Sequence, residues 1–197
     1  MSAATKRQLI SVEDYLAGEL DSPVKHEFLG GVVYATTGAR NINNDIAGNI
    51  FGLLHARLRG RPCRPYNSDT KVRVRLPTHF RFYYPDTQVS CRPNPAEDSY
   101  QDEPVVIFEV LSKKTRRIDE GEKKDAYLSM GALCVYALVE QELPLIVVHR
   151  RTQNGFVREE YSGLENTLPL PEIGTELPLR EIYETIEFVP EADDIDE

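Results

Sequence analysis

The chain is poor in cysteine and has no pattern among the few it contains. Its 197 residues hold three, Cys63, Cys91 and Cys134, an odd number set far apart. No CxxC or CxxH pair occurs, so the spacing offers neither a structural zinc site nor a disulfide framework. Three reduced thiols are therefore expected. The sequence also lacks any apolar run near the ~20 residues that cross a bilayer. Its opening residues, MSAATKRQLISVEDYL, have no apolar core of the kind a secretory leader carries. These absences predict a cytoplasmic protein without membrane contact. There is no internal repeat, no Gly/Ser linker, and neither a helix-turn-helix nor a zinc-finger spacing that would read bases.

What is present is ordinary globular composition, 41% hydrophobic and 28% charged, in a chain long enough for one domain with a real core. The net charge of −9 argues against a polyanionic partner until its distribution is examined. Positions 57 to 124 carry 15 Lys and Arg against 10 Asp and Glu, a net of +5, so the remainder carries −9 − 5 = −14. The final stretch, ETIEFVPEADDIDE, has seven acids and no base. The expected organisation is a flexible N-terminus over residues 1–10, a single domain over 11–186, and an acidic, disordered tail over 187–197. A mildly basic middle permits a nucleic-acid substrate without requiring one.

Ser11 can cap a helix through VEDYLAGEL, with Asp14 three residues on. VKHEFLGGVVYA reads as a β-hairpin about Gly30-Gly31. In INNDIAGNIFGLLHARLRG, residues Ile42, Ile46, Ile50, Leu53, Leu54 and Leu58 form a helical stripe ended by Gly60 and Pro62. SDTKVRVRL alternates as a strand, with Val72, Val74 and Leu76 opposite Lys71, Arg73 and Arg75. FRFYYPDTQVS predicts a second strand. PVVIFEVLS, apolar on both faces but for one residue, predicts a central strand covered on both sides. A helix is expected over IDEGEKKDAYLSMG, then a hairpin of CVYALVE and PLIVVHRR. The order predicts an α/β fold of the α+β mixed-sheet kind, a central mixed sheet flanked by helices, prefaced by a helix and hairpin.

Glu109 is the most informative residue. It shares its strand face with Val105, Ile107 and Leu111. A carboxylate there loses hydration worth roughly several kcal/mol unless a cation, a metal or a buried hydrogen-bond network compensates. Asp86 follows Tyr84-Pro85. A proline inside a strand marks an edge, an end or a bulge, and such irregularities re-aim side chains near active sites, although Asp also caps turns. Lys123 shares a helix face with Ala126, Tyr127 and Met130, so it lines up with an inward stripe; a snorkelling surface lysine is the plainer alternative. Lys124 points further round. Asp69 and Lys71 lie on the polar face of their strand with Arg73. Two carboxylates on neighbouring strands can hold Mg²⁺, which prefers oxygen ligands and keeps waters. The ion lowers the pKa of a bound water, and a lysine beside it can steady a charged transition state.

The combination and spacing of VKHEFLGGVVY, IAGNI, SDTKVRV, YYPDTQV, VVIFEVLS and GEKKDAY resemble the PD-(D/E)XK nuclease superfamily, and within it the Uma-two family, classed as restriction endonucleases. The likeness runs from SVEDYL to about PLREIYE. It implies a restriction-endonuclease-like core and a Mg²⁺-dependent endonuclease (Mn²⁺ as a substitute) hydrolysing phosphodiester bonds of DNA. RNA differs only as substrate. By the resemblance, Asp86 takes the PD position and Glu109 the acidic one, both as metal ligands. Lys123 matches the family's recurring lysine, with Lys71 as the other candidate, and Glu27 and Asp69 match further recurring positions. The chain departs from the pattern twice. Leu111 stands where the superfamily usually has its lysine, and Asn43 stands where many members have histidine; asparagine cannot exchange a proton near neutral pH. These departures and the acidic charge point to the alternative of a degenerate nuclease fold acting as a binding or assembly module. A homodimer is expected by analogy with enzymes that cut both strands.

Overall fold

The computed structural model describes residues 9–36 and 38–188. Most of the flexible N-terminus and of the acidic tail expected from the sequence therefore lie outside the described residues. The chain runs α1 (Val12–Leu20), β1 (His26–Leu29), β2 (Val32–Ala35), α2 (Asn41–Arg57), β3 (Arg64–Asn67), β4 (Lys71–Arg75), β5 (Phe80–Tyr83), β6 (Thr87–Ser90), β7 (Tyr100–Gln101) and β8 (Pro104–Val110). It continues through α3 (Arg116–Asp119), α4 (Glu122–Leu128), β9 (Val135–Val139), β10 (Leu145–Thr152), β11 (Gly155–Ser162), β12 (Thr167–Leu170), β13 (Thr175–Pro178) and α5 (Leu179–Ile182).

Local chemistry accounts for the early elements. The Ser11 hydroxyl accepts from the Asp14 backbone N–H at 3.0 Å and starts α1. Gly30 and Gly31, at φ +59° and +98°, close the β1–β2 hairpin, where both turn residues need positive φ. Ile46, Ile50 and Leu54 of α2 are fully buried, as their spacing predicts.

A six-stranded sheet has the order β11-β10-β9-β8-β6-β3, with β8 and β9 parallel and their other neighbours antiparallel. A five-stranded sheet has the order β2-β1-β5-β4-β7. The expected mixed sheet flanked by helices is thus present, with β8 in its interior. On one face α2 packs against Val89, Val106, Phe108 and Val110. On the other, Ile107 and Leu111 meet Ala126 and Tyr127 of α4 and Val72, Val74 and Tyr83 of the five-stranded sheet.

Two expected elements are broken, one at Asp86 and one between Asp119 and Lys123. FRFYYPDTQVS is not one strand: β5 belongs to the five-stranded sheet and β6 to the six-stranded one. Tyr84-Pro85-Asp86 carries the chain between them, and Pro85 has no N–H with which to continue a ladder. The helix expected over IDEGEKKDAYLSMG divides into α3 and α4 around Gly121. A Cβ at Gly121 would stand 2.7 Å from the Arg117 carbonyl oxygen, so the sharp turn there requires glycine. Beyond the expected elements lie β3, the short β7, and the C-terminal β11 to α5, whose strands are short or half-exposed and show no clear apolar period.

The cysteine expectation is corrected. Cys63 and Cys91 form a disulfide, and Cys134 alone is free. They are 28 residues apart, but β3 and β6 pair antiparallel, with Arg64 opposite Ser90, which places the two flanking cysteines directly across from each other. Sequence distance was the wrong measure, because strand pairing sets the spatial one. The expectation of a cytoplasmic location loses the support of reduced thiols. No helix among the described residues is long and apolar enough to cross a membrane. For a loop of this length the cross-link contributes about 3–4 kcal/mol through the unfolded chain. Cys63→Ser with Cys91→Ser is expected to lower the urea midpoint accordingly, and reduction should do the same to the wild type. Titration of three free thiols in the untreated native protein would refute the cross-link.

Candidate active site

The site is assembled around one ammonium. Lys123 extends from α4 on the same face as the buried Ala126, Tyr127 and Met130. Its Nζ lies 3.3 Å from Glu109 Oε1, 3.2 Å from Glu27 Oε1 and 3.5 Å from Asp119 Oδ1. Glu109 reaches it from β8 by strand alternation: its neighbours at two-residue spacing, Ile107 and Leu111, face the α4 side. Glu27 reaches it from β1 by the same rule, since Phe28 on the opposite face stacks with Tyr15 and Phe82. Asp119 ends α3, and the break at Gly121 leaves it one helical turn from Lys123. The Tyr127 hydroxyl donates to Glu109 Oε1 at 3.4 Å.

Asp86 enters from the crossover between the sheets. Its Oδ2 accepts the Val110 backbone N–H at 2.7 Å, and Val110 follows Glu109. A single backbone link thus sets the two carboxylates beside each other. Asp86 is half-buried and Glu109 fully so, which leaves Asp86 as the open side of the pair. Asn43, at the start of α2, donates through Nδ2 to the Val110 carbonyl at 2.9 Å. Its Oδ1 is buried with no hydrogen-bond partner among the described residues.

The electrostatics are those of too many acids for one base. Burial raises Asp86 to about 6, against the Val110 N–H and Lys123, which pull it down. Glu109 is pushed well above the usual carboxylate range, first by burial and then by Asp119, Asp86 and Glu27, with Lys123 opposing. Burial works against the charged form of Lys123, but Glu109, Glu27 and Asp119 together outweigh it and hold the ammonium protonated. Without a further cation, the cluster relieves its negative excess by keeping protons.

Of the six residues singled out from the sequence, four converge here: Asp86, Glu109, Lys123 and Glu27. The other two do not. Asp69 sits at an exposed turn and pairs with Lys25 at 2.6 Å. Lys71 is buried elsewhere, its Nζ donating to the Tyr84 hydroxyl at 3.2 Å, which in turn donates to Glu19 at 2.9 Å. Burial and Lys25 lower the Lys71 pKa despite Glu19. Lys71 is buried although it stands on the strand face read as polar from alternation, while Arg73 on that face is half-buried and Arg75 exposed. Lys124 lies nearer His149, whose pKa falls through burial and the charges of Lys124 and Arg158. Asp119 is the residue the sequence reading missed; its position four before Lys123 is the helical spacing that could have revealed it. The departure at Leu111 has a structural answer. Leu111 is core, and the ammonium beside Glu109 comes from α4.

The donor set suits a hard divalent cation. Asp86 and Glu109 supply carboxylate oxygens where negative charge is in excess, and the orphaned Asn43 Oδ1 is a neutral oxygen in need of a partner. Among the described residues no three His, Cys, Asp or Glu side chains converge as a ready ligand set. Two carboxylates completed by water match what Mg²⁺ accepts.

The Uma2 (Uma-two) family model, described as "Putative restriction endonuclease", matches residues 12–180. Two proteins of Synechocystis sp. (strain ATCC 27184 / PCC 6803 / Kazusa) are similar to the chain. Slr1290 is 27% identical over 181 residues, covering 91% of this chain and 94% of that one. Sll1609 is 26% identical over 144 residues, covering 72% and 80%. A crystal structure of "a putative nuclease belonging to DUF820" from Anabaena variabilis ATCC 29413 superposes with a TM-score of 0.67 at 14% identity, covering 88% of this chain and 97% of that one. At that identity the likeness is one of fold.

Proposed function

The chain belongs to the Uma2 family, and from that premise we propose that it is a Mg²⁺-dependent endonuclease hydrolysing phosphodiester bonds of DNA, with Mn²⁺ as a substitute ion. The observation that carries the reading is the convergence of Asp86 and Glu109, through the Val110 backbone, on one acid-rich cluster with a single ammonium. Asp86 and Glu109 would hold the ion. A bound divalent cation supplies a water of lowered pKa and offsets charge developing on phosphate.

The remaining work falls to the chain's own residues. Among the described residues Lys123 is the only cation in the cluster, and it offers N–H donors to a charged phosphate. Glu27 and Asp119 are positioning residues, which fix the ammonium of Lys123 by ion pairs. Asn43 ties α2 to the Val110 carbonyl and so steadies the end of β8 between the two ligands. Asp86, half-buried, is the side from which solvent and substrate enter. A homodimer would place two such sites on opposite strands.

Purified protein incubated with plasmid DNA, and separately with RNA, is expected to cut DNA when Mg²⁺ or Mn²⁺ is added and to stop with chelator. Equal cleavage by wild type and Asp86→Ala would sink the assignment; faster cutting of RNA would move the substrate. A second reading, a nuclease fold kept as a binding module, is favoured by Asn43 where many members carry histidine. Calorimetry with no Mg²⁺ or Mn²⁺ heat would select it.

A further inference from the structure

A second cationic feature lies away from the acid cluster. Residues 55–66, HARLRGRPCRPY, hold four arginines and a histidine with no acid, in a chain of net charge −9. They wrap a groove of about 570 Å³ where α2 ends and β3 begins, lined by His55, Arg59, Arg61, Arg64 and Tyr66 beside Cys63. None of its lining residues is acidic.

The end of a helix explains only part of this. His55 and Arg57 lie in the last turn of α2, where cations complement the helix dipole, and Arg57 is matched by Glu181 at 2.5 Å. Arg59, Arg61 and Arg64 come after the helix and are exposed. Arg61 donates to the Gly174 carbonyl at 2.6 Å, a neutral partner that fixes the guanidinium and leaves its charge unbalanced. Among the described residues, none of these three arginines has a carboxylate within ion-pair distance.

The groove has a defined position relative to Asp86. Asp86 precedes β6 and Cys91 follows it, and the disulfide joins Cys91 to Cys63 in the groove wall. Five residues of extended chain put Asp86 and Cys91 roughly 17 Å apart. Asn43 in the first turn of α2 and Leu58 at its C-cap are fifteen residues, or roughly 22 Å, apart along the helix. Both measures run along the flank made by α2 and the edge strand β3. At about 3.4 Å per step they correspond to about five or six base pairs of duplex.

We propose that this groove is a second nucleic-acid contact, an anchor for the phosphate backbone of a duplex five to six base pairs from the bond cut at Asp86. The clause about cutting rests on the nuclease reading; backbone binding does not. Guanidinium forks match phosphate oxygens, Tyr66 adds a hydroxyl and a ring, and a volume of about 570 Å³ exceeds what one phosphate fills.

The test is anisotropy of a labelled 20-base-pair duplex in chelator, over a salt series. The double variant Arg59→Ala, Arg64→Ala is expected to weaken binding about tenfold or more at 0.1 M salt and to lower the salt slope by about 2, one phosphate contact for each arginine. Arg59→Lys with Arg64→Lys should keep most of the slope. Arg158→Ala, an exposed cation on β11 at the edge of the six-stranded sheet opposite β3, should leave binding unchanged. An unaltered affinity and slope in the alanine pair, or no duplex binding by wild type at low salt, overturns the proposal. Displacement by millimolar inorganic phosphate overturns it in favour of a small phosphate ligand. If plasmid stays uncut while the alanine pair loses binding, the groove stands and the nuclease reading falls; if plasmid is cut and the pair binds as wild type does, the reverse holds.

Discussion

Lys123→Met is expected to lower the melting temperature at pH 7.5 by roughly 6–20 °C in metal-free buffer. Methionine preserves the length and packing of the stem against Tyr83 and Tyr127, so the effect isolates the charge. Removing one partner of a buried ion pair leaves an uncompensated charge, which costs about 3–5 kcal/mol, and a chain of this size loses about 2–4 °C per kcal/mol. Here the deleted ammonium faces three carboxylates within 3.5 Å, which places the effect toward the upper end. The sign with pH follows from the acids. Once Lys123 is gone, Glu109 and Asp86 lose the charge that opposes their raised pKa values and hold protons to higher pH still; a carboxylate raised in the folded state contributes stability below its unfolded pKa and loses it as pH rises. The deficit should therefore shrink from pH 7.5 to pH 5. Mn²⁺ should restore part of it at pH 7.5 if Asp86 and Glu109 bind the ion. A variant melting within 2 °C of wild type at pH 7.5 would show that Lys123 is a surface lysine reaching outward.

That expectation could be half-read from the sequence, and the half that was missing is instructive. Glu109 was legible because a carboxylate in VVIFEVL is costly wherever the strand lies. Lys123 was legible from helical spacing, and the same spacing, applied four residues back, would have added Asp119. Glu27 was identified by resemblance alone; only the β1 register, with Phe28 turned to the aromatic cluster, gives it a direction. Asp86 depended on Pro85, which announced an irregularity without saying that the chain there leaves one sheet for another. Asp69 misled because it lies in the exposed turn before β4 and not on the strand; Lys71 misled for another reason. Strict alternation assigns side chains to two faces but does not say which face a second layer covers. The Cys63–Cys91 pairing was invisible because β3, four residues containing a proline, has almost no strand signal. Short elements made by their partners are what a single sequence conceals, and they carry the disulfide and the groove.

Asp86→Asn is expected to separate the stability of the site from its chemistry. The amide oxygen can still accept the Val110 N–H, so the backbone link to Glu109 survives while the charge is removed. In the wild type, the Asp86 pKa is raised to about 6 by burial. Its contribution to stability is thus fully present below the unfolded carboxylate value near 3.8, declines as pH rises through about 6, and above that range the ionised group opposes folding. Two units correspond to about 3 kcal/mol. The variant should accordingly melt roughly 6–12 °C above metal-free wild type at pH 8, with the difference vanishing near pH 4. Activity should move the other way. An ion held by Asp86 and Glu109 needs both deprotonated, so Mn²⁺ affinity of the wild type should fall at least tenfold per unit below pH 6, with proton release on binding. The variant should lose the metal-induced rise in melting temperature and at least about 10³-fold in cleavage rate, since the ion both activates water and offsets phosphate charge. A variant less stable than wild type at pH 8, with its metal response intact, would make Asp86 a structural cap on β8. More stability with neither metal response nor cleavage is the signature of a carboxylate retained for chemistry at the expense of the fold.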